Sequence, residues 1–400
     1  MRILLASIYP WIYVLLFLTI PFDNYVRALP NLLMIILAAT FPFIIKKEHF
    51  RKLKKIPTIL FALFCLYLVA NAAIFGRLET DWGLIKKIAL AFGFVVLYIP
   101  IEDSKKIYRA IVFSGLAVII FSVINIFVII NSSDEIVLGL SRQVIEALLI
   151  DRIYLGMIAI LSILISYQSI RKEFHPNNKY YLVNIIINVL FVVLLVSKIA
   201  IIILGLLLVV RQFYGKRKWL RVPVAALAVA GLFALAFSLM MTKEEADSEK
   251  TFLEQTLTWE LRTEVWKCAQ RISSDAGIIV EGFGFQGTKD QLVACYSEHI
   301  EDDYKRNVFV NARHNTHNQL VDIYFNWGVV AIVLFIGWLV VVFFRNRKEF
   351  IPTAYLIVLA SYCLVEDVFH RQIGAYYVGF VLIAILLQQQ TNENNDKKEA

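Results

Sequence analysis

The sequence predicts an all-α, polytopic membrane protein, and three observations carry that reading. The chain is 59% hydrophobic over 400 residues, with a mean hydropathy of +0.67, above the roughly 45–50% apolar content of soluble domains. Apolar runs close to the ~20 residues a helix needs to cross ~30 Å of hydrocarbon recur along it. The basic residues gather in alternate connections between those runs.

Twelve runs qualify, centred on Leu4–Ile20, Asn31–Ile45, Ile56–Phe75, Leu84–Ile101, Ala110–Ile130, Ile153–Ser169, Tyr181–Val196, Ile199–Val210, Val222–Met241, Val321–Phe344, Thr353–Val365 and Ile373–Leu387. Only Ser197 and Lys198 separate the seventh from the eighth. The even connections carry the cations: Lys46 to Lys55, Lys105 to Arg109, Arg171 to Lys179, Arg211 to Arg221 and Arg345 to Lys348. That alternation, rather than nucleic acid, accounts for the net charge of +8. It places both termini in the cytoplasm and the odd connections outside. The first run lacks a small-residue cleavage site, since Pro21, Phe22, Asp23 and Asn24 follow it, so it reads as a retained helix.

The chain therefore divides into helices one to nine over 1–241, a large and mainly helical extracytoplasmic loop over 242–320, helices ten to twelve over 321–387, and a polar tail at 388–400 expected to be disordered. The fifth connection, Asn131–Arg152, has room for a small helix ending in Arg152. Cys268 and Cys295 share the large loop, where a disulfide can form.

In that loop Leu253, Leu257, Leu261, Val265, Ala269 and Ile272 recur at steps of three or four. They mark an amphipathic helix with Arg262 and Trp266 on the adjacent face. The plainer account is a helix lying on the membrane surface. Gly282-Phe283-Gly284-Phe285-Gln286-Gly287 matches the spacing of a dinucleotide fingerprint, but no parallel sheet surrounds it. A tight glycine turn is the simpler reading.

Directly before the tenth run stands Arg313-His314-Asn315-Thr316-His317-Asn318-Gln319-Leu320. Thr316 and Gln319 form a T-x-x-Q capping pattern, which makes Thr316 the N-cap and puts His317 and Asn318 in the first turn. A helix start there would favour a phosphate, and a histidine there would suit a general base. The same histidine could merely cap backbone. His314 and His317 stand three apart, but no third ligand follows at metal-site spacing, and the reading needs no metal and no cofactor. Arg152, Lys198, Arg262, Arg313 and Arg371 would matter if they converged on one anion. Glu366, Asp367, His370 and Arg371 sit at the outer end of the eleventh run, either functional or as a salt bridge to Arg371.

These features resemble the O-antigen ligase family, with its related polysaccharide polymerases and protein-glycosylating ligases. In that family an arginine and a tryptophan precede a glycine turn, and a histidine-asparagine pair leads into a glycine-containing helix. Arg262 and Trp266, Gly282 and Gly284, and His317-Asn318-Gln319-Leu320 with Gly328 follow that order, closely over Leu261–Val330. The resemblance implies a GT-C-like membrane glycosyltransferase. It would move a glycan from undecaprenyl diphosphate to an acceptor such as lipid A-core, with inversion and without a metal. His317 would be catalytic, Arg152, Arg262, Lys198 and Arg313 would hold the diphosphate, and His314, Asn318, Trp266, Gly282, Gly284, Glu366 and Arg371 would support them. Lys198 stands where the family usually has an arginine after serine, which keeps the charge but loses the bidentate fork. A polymerase acting on the same donor is the nearest alternative. A transporter or flippase of lipid-linked glycan is the alternative from another class, although few charges lie deep within the runs.

Overall fold

A computed structural model describes residues 2–22, 25–26, 28–101, 104–132, 148, 150–170, 175–195, 197–214 and 250–399. Among them the regular structure is helical, with no strand. Eleven helices follow the apolar runs: α1 (Arg2–Thr19), α2 (Ala28–Ile44), α3 (Ile56–Ile74), α4 (Leu78–Tyr98), α5 (Ser104–Ser132), α6 (Arg152–Ser169), α7 (Asn178–Leu194), α8 (Lys198–Gln212), α12 (Gln319–Asn346), α13 (Phe350–Val365) and α14 (Gln372–Glu399). Between them, α9 (Lys250–Ala276), α10 (Gly284–His299) and α11 (Asp303–Ala312) build the loop. The ninth run, at Val222–Met241, and the helix expected in the fifth connection lie outside the described residues.

Among the described residues five helices are long and apolar enough to span a bilayer, within Ile3–Phe22, Ile56–Ile74, Lys105–Val128, Arg152–Ser169 and Gln319–Asn346. Four more are apolar but shorter. α14 continues to Glu399 through the polar tail, which was expected to be disordered. Gln388–Ala400 contains no glycine or proline to stop a helix.

α1, α4 and α14 meet through aromatic rings. Tyr13 packs edge-on against Phe94 at 5.5 Å and Phe17 against Phe380 at 5.6 Å, a geometry that adds about 0.5–1.5 kcal/mol per pair beyond area. α7 is held to α6 by polar contacts inside the bundle, where the Asn184 amide donates to Ser162 Oγ at 2.9 Å and Ser166 Oγ at 2.8 Å. Such side chains join helices where water cannot compete.

The loop has its own core. Val265, Cys268, Ala269 and Ile272 on α9 pack with Leu292, Cys295 and Tyr296 on α10 and Phe309 on α11. The described part of the amphipathic stripe is thus buried against protein rather than laid on lipid. Cys268 and Cys295 form a disulfide that ties α9 to α10. Phe325 of α12 belongs to the same cluster, so the loop is anchored on a bundle helix.

A second anchor is backbone. α12 breaks at Gly328, whose φ of 79° and ψ of −174° are non-helical, and residues 279–283 fill the break. Val329 N–H donates to Ile279 C=O at 2.8 Å, and Phe283 N–H donates to Phe325 C=O at 2.6 Å. These bonds satisfy groups that the broken helix leaves open. A Cβ on Gly328 would sit 1.9 Å from the Val280 carbonyl oxygen, and one on Gly282, with φ of +76°, would sit 2.3 Å from that of Asn326. Arg77 clamps the outside of the turn, donating to Gly282 C=O at 2.6 Å and Glu281 C=O at 2.9 Å. Buried Asp81 accepts from Phe285 N–H at 2.8 Å and so caps the start of α10. The glycines therefore serve close backbone approach, and Gly287 lies inside α10, which leaves no phosphate-binding turn.

Gly328→Ala should lower the melting temperature of the detergent-solubilised protein by an amount equivalent to at least ~2 kcal/mol, because it combines a positive φ with a backbone collision. Gly337→Ala, on the same helix with open space around it, should leave it unchanged or slightly raised. Equal melting shifts for the two would disprove the interlock.

Candidate active site

The ends of α6, α8, α12 and α13 meet the middle of α9 at the loop end of the bundle. Asp151 accepts from Ile153 N–H at 3.1 Å and caps α6, presenting Arg152 at its first turn. Lys198 opens α8 after Ser197. Arg262 comes from α9. Arg152, Lys198 and Arg262 lie close enough to act electrostatically on one another, so three of the five dispersed cations form one group.

The other two do not join it. Arg313, in a left-handed conformation with φ of 48°, ends α11 and pairs with Asp290 near the surface. Its charge is spent there, away from the expected diphosphate contact. Arg371 lies 3.5 Å from Asp151 rather than pairing with its neighbours Glu366 or Asp367.

The histidine segment differs from the capping expected of it. Asn318, not Thr316, is the N-cap of α12. Its side chain accepts from Leu320 N–H at 3.0 Å and Val321 N–H at 3.3 Å. His317 lies before the helix with φ of 47°. Asp367 explains this: the buried carboxylate accepts from Thr316 Oγ1 at 2.8 Å, His317 N–H at 2.8 Å and Asn318 N–H at 3.0 Å. A left-handed residue is costly outside glycine and is sustained here by those bonds. The N–H groups expected to bind phosphate are thus taken by the Asp367 carboxylate and the Asn318 side-chain amide oxygen. Trp266 Nε1 adds a bond to Thr316 C=O at 3.1 Å.

The His317 ring faces Glu366. Glu366 Oε2 lies 3.6 Å from His317 Nδ1 and 3.6 Å from Arg262 Nη2, attracted to both but outside hydrogen-bond distance. Burial works to raise the Glu366 pKa, but His317, Arg262 and Arg371 together hold it below the ordinary carboxylate value. Glu366 Oε2, His317 Nδ1, Arg262 Nε and the Tyr154 hydroxyl are buried without a hydrogen-bond partner among the described residues. Unmade bonds of this kind are costly in a finished core and expected where a ligand completes them. His314 sits behind, its ring 5.2 Å from Phe309 and 6.2 Å from His317. Burial and the neighbouring His317 lower its pKa, keeping it neutral.

Beneath the segment lies a charged brace. His370 Nε2 is 3.0 Å from Asp322 Oδ1 on α12 and its Nδ1 is 3.0 Å from the Asn315 amide. Gln319 Nε2 donates to Asp322 Oδ2 at 3.1 Å. Burial disfavours the imidazolium, but Asp322 and Asp367 outweigh it and raise the His370 pKa to about 9. Burial, then repulsion from Asp322, raises the Asp367 pKa. Asp322, Asp367 and His370 offer ligand atoms within 4.8 Å of one another, the donor types of a divalent-cation site. Their oxygens already accept bonds from Thr316, Gln319 and backbone, and a protonated His370 donates rather than ligates. The set works as a hydrogen-bonded brace.

Asp367 and His370 were singled out from sequence only as ionisable residues at the outer end of the eleventh run, and Asp322, Asn315 and Arg77 had no assigned role. Of these three, Asp322 carried the one usable signal, a carboxylate at the start of a membrane run.

A raised His370 pKa makes stability pH-dependent with a fixed sign. The contribution is fully present below its ordinary value of 6.5 and is lost as pH rises through about 9. The melting temperature should therefore fall between pH 6.5 and 9.5, and His370→Gln should flatten that fall. An unchanged slope in His370→Gln would contradict the brace.

Residues 183–336 match the family model described as O-Antigen ligase, and no curated protein matches the chain. The matched segment holds Lys198, Arg262, Trp266, the glycine turn, His317 and the broken helix, while Arg152, Glu366 and Asp367 come to it through the fold. Over residues 183–336 the chain is therefore similar to the O-antigen ligase family, the family that its motifs resemble.

Proposed function

We infer from the likeness of residues 183–336 to that family a ligase- or polymerase-type glycosyl transfer from lipid-linked glycan in a membrane. We propose that this chain transfers a glycan from undecaprenyl diphosphate to an acceptor sugar, such as lipid A-core, at the outer face of the inner membrane. The observation that carries the reading is the Glu366 carboxylate oxygen 3.6 Å from both His317 Nδ1 and Arg262 Nη2, with Arg262 grouped with Arg152 and Lys198.

If Nδ1 carries its proton toward Glu366, Nε2 is left as the basic nitrogen. The acceptor hydroxyl gives its proton to Nε2 as its oxygen attacks the anomeric carbon. The bond from that carbon to the phosphate oxygen breaks, and its electron pair leaves on the diphosphate. Arg152, Lys198 and Arg262 meet the charge that develops there. Attack opposite the leaving group inverts the anomeric carbon. Arg262 and His317 share Glu366 equally, so an arriving diphosphate that draws Arg262 away frees the carboxylate for the histidine. Donor binding would in this way leave Glu366 to orient His317 just when a base is needed.

His317→Ala should reduce transfer by at least ~100-fold while the protein still inserts and melts as wild type. The assay uses purified protein with lipid-linked donor and lipid A-core. Wild-type transfer in this variant would remove the catalytic assignment. In cells lacking the chain, unligated long glycan on the lipid carrier is the expected product; single unpolymerised repeats would assign a polymerase instead.

A further inference from the structure

The reading above leaves Tyr154 unused. It lies in the first turn of α6 and its side chain is 2% exposed. Its hydroxyl has no hydrogen-bond partner among the described residues, yet stands within electrostatic reach of Glu366, Arg371, Asp151 and Asp367. The ring is fixed on two sides. The Arg371 guanidinium lies 5.9 Å from its centroid. Gly374 approaches so closely that a Cβ there would be 3.2 Å from Tyr154 Cε1 and 1.8 Å from the Val368 carbonyl oxygen. A hydroxyl held this rigidly, desolvated and unbonded, is preorganised for something that is not protein.

The charge around the site says what that is. Arg152, Lys198 and Arg262 stand together on one side. Around the Tyr154 hydroxyl, on the second side, stand the carboxylates of Asp151, Glu366 and Asp367 and a single cation, Arg371, already 3.5 Å from Asp151, and Glu366 and Asp151 border the cation group through Arg262 and Arg152. A phosphate would be repelled from the second side and attracted to the first. A neutral, hydroxyl-rich ring suits the second, because carboxylates accept from sugar hydroxyls and a tyrosine hydroxyl can both donate and accept.

We propose that Tyr154, Asp151, Arg371 and Glu366 form a sugar subsite beside the diphosphate site, in which the Tyr154 hydroxyl bonds a hydroxyl of the donor glycan next to the reacting carbon. This rests on the glycosyl-transfer reading and adds to it a division of the site by charge.

Tyr154→Phe keeps the ring, its Arg371 contact and its packing, and removes only the hydroxyl. Two ligands are titrated onto the full chain in nanodiscs without acceptor: undecaprenyl-diphosphate-linked glycan, and undecaprenyl diphosphate without sugar. The variant should bind the glycan donor about 5- to 20-fold more weakly, the scale of one lost hydrogen bond, and the sugar-free carrier as tightly as wild type. Its melting temperature should hold or rise, since a buried unpartnered hydroxyl has been removed. Tyr355→Phe, an equally unpartnered hydroxyl near the opposite end of α13, should alter neither affinity. Unchanged glycan-donor affinity, equal weakening of both ligands, or a lowered melting temperature in Tyr154→Phe would each overturn the subsite. Because binding is read without turnover, these outcomes are independent of whether His317→Ala still transfers glycan.

Discussion

The arrangement depends on the carboxylate of Asp367. It reaches from the connection after α13 to the segment before α12 and accepts three bonds there, from the Thr316 hydroxyl and the His317 and Asn318 amides. Burying an ionised carboxylate costs several kcal/mol, and bonds to a charged acceptor return about 1.5–3 kcal/mol each. Three of them are enough to offset the cost and to hold His317 in a left-handed conformation. With the segment held, the His317 ring points at Glu366, the residue next to its clamp in sequence. A clamp and a functional carboxylate side by side mean that any shift of this short connection moves both together.

The bundle supplies what this needs. Apart from Arg262, in the middle of α9, the charged residues of the site stand at or beside a helix end, where one backbone direction serves structure and the other faces the site. Asp151 caps α6 and presents Arg152; Asn318 caps α12 and follows His317. The broken helix performs the matching task for the loop. Residues 279–283 complete the hydrogen bonds that Gly328 interrupts, and the disulfide joins α9 to α10. Arg262 on α9 thereby reaches the bundle from a segment that could otherwise swing free of it. The loop is a lid fastened at three places.

Much of this was legible in the sequence and some was not, for definite reasons. Hydropathy located the bundle helices because burial in lipid is a property of each run by itself. The histidine-asparagine pair, Arg262 and Lys198 were legible from motif and charge. The helix start was misplaced by two residues because T-x-x-Q and Asn318 are both good local caps. The choice between them was made by Asp367, about fifty residues away in sequence. Arg313 was grouped with the other cations by charge alone, and only the fold reveals that Asp290 takes it. The glycine spacing was read as a turn; in the structure Gly284 starts α10, and Gly282 serves a close approach to α12, whose break at Gly328 lies on another element. Tyr154 gave no signal, since a tyrosine at the interface of a membrane run is ordinary until its hydroxyl is seen to lack a partner.

The most direct measurement is glycan transfer by Asp367→Asn alongside its melting curve. The amide keeps the side chain's shape but turns one acceptor into a donor facing the His317 N–H, so the segment is released while His317 itself remains. The account predicts transfer reduced about as far as in a variant lacking the imidazole, with insertion preserved. Wild-type transfer by Asp367→Asn would contradict it.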